Sequence, residues 1–199
     1  LSYTDFACES VTTVTYDGTG KSVSVTPANA ISSYVGAIEV LYADSATLPI
    51  NVGSYAISIN VAESEYYAAS TIALRSGRVG VTLTISAKDI SDLTFILEDS
   101  YFMKDGAATP DATIQYNGMT LVKDTDYTIA YANNTSPGTA TMTITGIGNY
   151  TGTKTLEFNI TSHTHNYTYT LVGTDTIKAT CSNEDGNCTA TEQTVKLVA

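Results

Sequence analysis

The chain has 199 residues, 43% of them hydrophobic and 15% charged, and its 9 Lys+Arg against 20 Asp+Glu give a formal net charge of −11. A chain of this size holds one large or two small domains with cores of their own, and this much apolar content excludes a disordered polymer. The acid excess, with no basic run to oppose it, excludes a nucleic-acid backbone or an anionic bilayer as a partner, and no apolar run is long enough to span a membrane.

Helix signals are nearly absent: no long stretch places apolar residues at i, i+3, i+4 and i+7 with good helix formers between them. Thr, Val, Ile and Tyr dominate, and 14 Tyr with no Trp suit pleated sheets, so the chain reads as all-β. The first residues show neither a charged n-region nor an initiator Met, which predicts an excerpt or a processed product. From Val14 to Tyr16 a strand leads into Asp17, Gly18, Thr19 and Gly20, followed by alternation from Lys21 to Val25 and a stop at Pro27, a hairpin signal. Ile38, Val40 and Tyr42 then share one face of a strand. After a loop with Pro49 and Gly53, Tyr55, Ile57, Ile59 and Val61 share one face of the next. Tyr66 and Tyr67 mark a turn, Arg75, Ser76, Gly77 and Arg78 read as an extended link, and Val79, Val81, Leu83 and Ile85 form a closing strand.

The same plan returns later. Strands are predicted around Leu93 to Leu97 and Ala112 to Tyr116, with Gly118 turning the second toward Leu121 and Val122. Over residues 126–160 the pattern is clearest. Tyr127, Ile129 and Tyr131 alternate up to an Asn-Asn-Thr-Ser-Pro-Gly turn; Ala140, Met142 and Ile144 then face one side with threonines on the other, and Leu156, Phe158 and Ile160 close the unit. Tyr42, Gly53, Tyr66 with Tyr67, and Ile85 correspond to Tyr131, Gly138, Tyr150 and Ile160, a degenerate internal repeat of roughly 70 to 80 residues in the size class of small sandwich domains. The predicted modules are 1–87 and 88–161. Beyond them, residues 162–199 hold His163, His165, Cys181, Cys188 and three or four short strands, too small a ribbon to stand alone without docking or a staple.

The runs D-Y-T-I-A-Y-A-N-N, G-T-A-T-M-T-I-T-G-I-G-N-Y-T-G-T and F-N-I resemble the β-rich repeats of large secreted and cell-surface proteins from Gram-positive gut bacteria. Y-D-G-T-G-K and V-G-S-Y-A-I resemble the related MBG-type repeat, and H-T-H-N-Y-T-Y-T with its two later cysteines is similar to short modules interspersed among such repeats. These are strand-and-turn motifs, so the resemblance implies a stalk or adhesin-like region and carries over no catalytic or binding residue.

Chemistry-bearing residues are few. A four-residue loop at 183–186 would set Cys181 opposite Cys188, with Cβ atoms roughly 4.5 to 5.5 Å apart, making them candidates for a disulfide; Cys8 then remains over as a small buried hydrophobe or a frayed-end thiol. His163, His165, Cys181 and Cys188 could ligate zinc, but the cysteine spacing is not that of a knuckle, and strand-start polar residues are the bland account. Neither Asp124 with Asp126 nor Glu184 with Asp185 and Asn187 has the alternating pattern of a calcium loop, so no metal or cofactor is expected. Both His lie in the tail, no G-x-S-x-G elbow exists, and carboxylate pairs such as Asp99 with Asp105 or Glu63 with Glu65 read as solvated loop charges. No enzyme is expected. Tyr167 and Tyr169 are a candidate ligand platform. Sequons at Asn133, Asn134, Asn149, Asn159, Asn166 and Asn187 follow from a Thr-rich composition, and a Lys–Asn isopeptide bond at Lys21 or Lys154 is not pinned by any pattern.

The sequence thus predicts two tandem Ig-like antiparallel β-sandwich modules plus a short β-hairpin module, with β-grasp-like units as the competing fold. The expected role is an acidic, monomeric spacer or adhesion segment of an extracellular or cell-surface bacterial protein, and the competing role is a module binding glycans or a host extracellular protein.

Overall fold

A computed structural model describes residues 1–8, 13–76, 79–102, 106–161, 167–174, 176–181 and 192–196. Its elements are strands and two single 3-10 turns, Tyr3–Asp5 and Ile90–Asp92, so the all-β expectation holds. The first half carries β1 (Phe6–Cys8), β2 (Thr13–Thr15), β3 (Val25–Pro27), β4 (Ile38–Tyr42), β5 (Gly53–Val61), β6 (Ser70–Ala73), β7 (Arg75–Ser76), β8 (Val79–Gly80) and β9 (Thr82–Ser86). The second carries β10 (Lys88–Asp89), β11 (Thr94–Ile96), β12 (Ser100–Phe102), β13 (Thr113–Tyr116), β14 (Met119–Thr120), β15 (Tyr127–Ala132), β16 (Gly138–Gly146), β17 (Tyr150–Thr151) and β18 (Thr153–Thr161). The tail carries β19 (Tyr167–Val172), β20 (Thr176–Cys181) and β21 (Glu192–Lys196).

The two halves repeat one topology. In the first the main sheet runs β2-β9-β5-β4, and in the second β12-β18-β16-β15; in each the opening strand lies parallel to the closing strand and the other pairs are antiparallel. A second small sheet, β1-β3 or β11-β13-β14, faces it, giving the sandwich layering of an Ig-like unit. The β-grasp alternative needs a helix laid across its sheet, and the described residues supply none.

The side-chain period of two decides what is buried. Ala140, Met142, Ile144, Phe158 and Ile160 of β16 and β18 are buried, and so are Ile57, Ile59, Val61, Leu83 and Ile85 of β5 and β9. Threonines fill the outer face, where Thr143 and Thr155 stand in cross-strand register. Asn117 (φ 47°) and Gly118 (φ 78°) form the two-residue turn between β13 and β14, both left-handed as a type I′ hairpin requires.

Two expectations are corrected. The segment after Val14 is no hairpin: β2 pairs with β9, while β3 crosses to the opposite sheet and pairs with β1. The physical reason is the loop between them. Lys21 N–H donates to the Pro49 carbonyl and Val23 N–H to the Tyr42 hydroxyl, tying the chain to other strands where a hairpin would pair it with itself. The stretch from Arg75 is not an extended link, because β7 and β8 pair antiparallel as a ribbon; residues 77–78 lie outside the described residues. That ribbon grows from a fork beside β5, between β6 and β9: Ile57 N–H donates to Val81 C=O, Ile57 C=O accepts from Leu74 N–H, and Val81 N–H donates to Leu74 C=O. The tail is a three-stranded antiparallel sheet, β19-β20-β21, in line with the three or four short strands expected there.

Because Ile144 is fully buried, Ile144→Ala should lower unfolding free energy by about 2–5 kcal/mol. Thr155→Ala on the exposed face should stay within about 0.5 kcal/mol, as read from urea denaturation of both variants.

Candidate functional site at the seam between the two halves

One residue, Ala87, separates β9 from β10, and backbone bonds hold the chain on both sides of it. Ser86 C=O accepts from Tyr16 N–H at 2.9 Å, and Lys88 N–H donates to Asn149 C=O at 3.0 Å. So short a connection sets the end of the first half directly against the second.

Three tyrosines fill the join. The Tyr150 ring, on the short strand that pairs parallel with β10, meets Tyr16 edge-on at 5.4 Å and Tyr116 at 6.4 Å between centroids. Tyr16 is 8% exposed and Tyr150 4%, so both are core residues of a single apolar cluster that runs through both halves. Lys88 Nζ stands 5.8 Å over the Tyr116 ring while paired to Asp92 at 2.7 Å, and that pairing holds its ammonium above the usual lysine range. Burial, and then the neighbouring Tyr16, push the Tyr150 phenol well above the usual tyrosine range, so it stays neutral at any physiological pH.

Polar contacts rim this cluster. Val52 N–H donates to Asn149 Oδ1 at 2.9 Å, and Asn149 Nδ2 donates to Asn51 Oδ1 at 3.0 Å. Tyr116 Oη donates to the Tyr16 carbonyl at 3.3 Å, and Asn117 Nδ2 to the Asp17 carbonyl at 3.4 Å. Gly18 completes the fit: at φ 82° its backbone lies so close to Met119 that a Cβ there would sit 2.5 Å from the Met119 methyl carbon. The loop that presents it is held by Asp17, whose Oδ1 accepts from Thr19 N–H at 2.9 Å and from Thr19 Oγ1 at 2.6 Å, and whose other oxygen pairs with Lys21. Lys21 first, then Thr19, lower the Asp17 carboxyl to a pKa of about 2.

The residues singled out from sequence fall elsewhere. Tyr167 and Tyr169 lie on one face of the tail sheet with ring centroids 6.3 Å apart. Tyr169, Leu171 and Val195 on that face are 69%, 64% and 61% exposed. Cys181 ends β20, whose pairing with β21 includes Thr180 against Glu192; Cys188, His163, His165, Glu184, Asp185 and Asn187 lie outside the described residues. Cys8 is half-buried at the end of β1. Asp126 accepts the Val122 N–H, a turn-closing role, and Asp99, Glu63 and Glu65 are exposed, while Asp105 lies outside the described residues. Lys154 sits over the Phe95 ring. Among the described residues no group of three His, Cys, Asp or Glu could hold a metal, and no helix is long and apolar enough to cross a membrane.

Sequence reasoning missed the seam. The tyrosines that build it read as strand ends and turns, and the only available signal was two Tyr-Asx-Gly motifs, at 16–18 and 116–118, which meet across it.

A family model described as MBG domain matches residues 10–78, which run from the stretch before β2 to the ribbon after β6. This part of the chain is thus similar to an MBG-type repeat. No curated protein matches the chain, and no solved structure does.

The Asp17 carboxyl is depressed in the folded chain, so its contribution to ordering the seam loop is present above pH about 4 and is lost as pH falls through about 2. Proton-carbon NMR titration should place its midpoint near 2, and Lys21→Gln should move it toward the ordinary carboxylate value.

Proposed function

We propose that the chain is a non-catalytic spacer or adhesion segment of an extracellular or cell-surface bacterial protein, working as a monomer in which two β units form one stiff body. The observation that carries this reading is the seam. A one-residue connection, a buried tyrosine cluster and four polar side-chain contacts join two sheets of the same topology, a joint suited to transmitting orientation and force. The similarity of 10–78 to an MBG-type repeat supports a structural repeat of surface proteins. The outer faces favour the same role: threonine-rich and acidic, they keep the unit hydrated and discourage sheet-to-sheet association. Against catalysis stand the solvated carboxylates and the absence of a nucleophile beside a base in the described halves.

A second reading is favoured by the tail. Tyr169, Leu171 and Val195 offer an apolar strip with little polar chemistry, the character of a surface for a host extracellular protein. Capture of fibronectin or collagen by the chain, lost in Tyr167→Ala/Tyr169→Ala, is the result that would make the tail a recognition module.

The spacer reading is tested by residue-resolved urea unfolding of the 199-residue chain. Ile59 of β5 and Met142 of β16 should share one midpoint in the parent and separate in Asn149→Ala/Tyr150→Ala, which removes roughly 2–4 kcal/mol of joint contacts. Separate midpoints in the parent would mean two independently mobile units and would sink the stiff-spacer reading.

A further inference from the structure

The end of the first half remote from the seam carries a second arrangement that the spacer role does not use. β5 begins beside Asn51 and Val52, which bind the second half, and nine residues later ends at Val61, roughly 25 Å away at strand rise. There the ends of β4, β5 and β6 form a shallow groove of about 570 Å³, lined among others by Glu39, Asn60, Ser70 and Thr71.

Its polar groups are already set in a row across three strands. Thr71 Oγ1 donates to Asn60 Oδ1 at 2.8 Å, and Asn60 Nδ2 donates to Glu39 Oε2 at 3.1 Å. Glu39 keeps a second acceptor oxygen, the amide a second N–H, and Asn60 Oδ1 a second lone pair, which together form an exposed donor–acceptor set of the kind that vicinal hydroxyls satisfy.

The loops that leave the groove walls carry an aromatic pair. Tyr34 and Tyr66 are 46% and 61% exposed, yet their rings meet edge-on at 4.9 Å. Ser64 fixes the pair: its Oγ donates to the Tyr34 carbonyl at 2.7 Å and accepts from the Tyr66 and Tyr67 N–H groups at 3.3 and 3.1 Å. Gly36 lies against the Ala62 carbonyl, where a Cβ would come within 2.3 Å, so the Tyr34 loop is pressed onto the end of β5. Two large rings held in solvent by a dedicated network cost rotamer freedom and gain little burial. A fixed, exposed aromatic ring on the loops that leave the groove, and a row of amide, carboxylate and hydroxyl groups within it, match the two surfaces of a sugar ring, apolar C–H face and polar hydroxyl edge.

We propose that this tip is a binding site for a neutral saccharide, with the Tyr66 ring, braced edge-on by Tyr34, against the sugar face and Glu39, Asn60 and Thr71 on the hydroxyls. The ligand is neutral because Glu39 lies in the groove and the chain carries −11 overall, which repels sialylated or sulfated glycans. The site is independent of the seam, so its failure leaves the spacer reading untouched.

The test is calorimetry and amide-shift mapping of the full chain with maltopentaose, cellopentaose, mannopentaose and N-acetylchitopentaose, and with a heparin pentasaccharide as the acidic comparison. Saturable binding of a neutral probe, with shifts at Asn60, Tyr66 and Thr71, is expected. Tyr66→Ala and Asn60→Ala should each weaken it at least about tenfold with an unchanged urea midpoint, and Tyr169→Ala should leave it intact. Silence with all four neutral probes, binding of the heparin probe alone, or wild-type affinity in both tip variants would overturn the proposal.

Discussion

The connection at Ala87 is the constraint on which the arrangement of the two halves depends. Had it been a longer polar linker, each unit would have needed only its own core, and the ends of the two sheets would have stayed wet. With a single residue between β9 and β10, and with Ser86 and Lys88 both committed to backbone bonds, the facing ends come together whatever side chains they carry. The chain meets that condition with rings. Tyr16, Tyr116 and Tyr150 supply apolar area and edge-on geometry, and the phenols and carbonyls at the rim satisfy polar groups that burial would otherwise orphan. Asn149 illustrates the economy of the joint: its carbonyl oxygen on the backbone takes Lys88 of its own half, while both ends of its side-chain amide reach the other.

What could be read from the sequence was what a strand reports about itself. Ala140, Met142 and Ile144 alternate with threonines because one face of β16 is core and the other is solvent, and the same logic exposed β5 and β18. Turns that bend through left-handed residues were also visible, as at Asn117 and Gly118. Strand partners were not. The parallel pairs β2 with β9 and β12 with β18 join segments roughly 60 to 70 residues apart, and nothing in the three residues of β2 states which strand they will lie beside. The stretch from Val14 to Val25 misled for the same reason: its local pattern is that of a hairpin, and only the competing donors and acceptors at Tyr42, Pro49 and Ser86 send its two arms to different sheets.

The candidate site was less legible than the fold, because its parts are ordinary one at a time. An isolated Tyr followed by Asp-Gly or Asn-Gly is a turn; two of them meeting at 3.3–3.4 Å across a seam are a joint, and that meeting is a product of tertiary structure. The same holds at the tip. Tyr66 and Tyr67 read as a turn marker, and the exposure of Tyr66 beside Tyr34 emerges only once Ser64 has drawn their two loops together.

The two ends of the first half therefore spend their tyrosines differently, and the direction of β5 links the two uses. At its start the rings are buried and bind a fixed neighbour of the same chain; at its end they are exposed and held rigid without burial. A spacer needs the first arrangement at every joint between units. The second is superfluous to a spacer, since the Tyr34 and Tyr66 rings add almost nothing to the core, and a chain under selection for stiffness alone would place small polar residues there. A rigid strand of nine residues separates the two, so occupation of the tip and closure of the seam do not compete for the same side chains. Stiffness at one end would then give a tip site at the other a fixed bearing relative to the rest of the molecule, the condition under which repeated weak sites add to useful avidity.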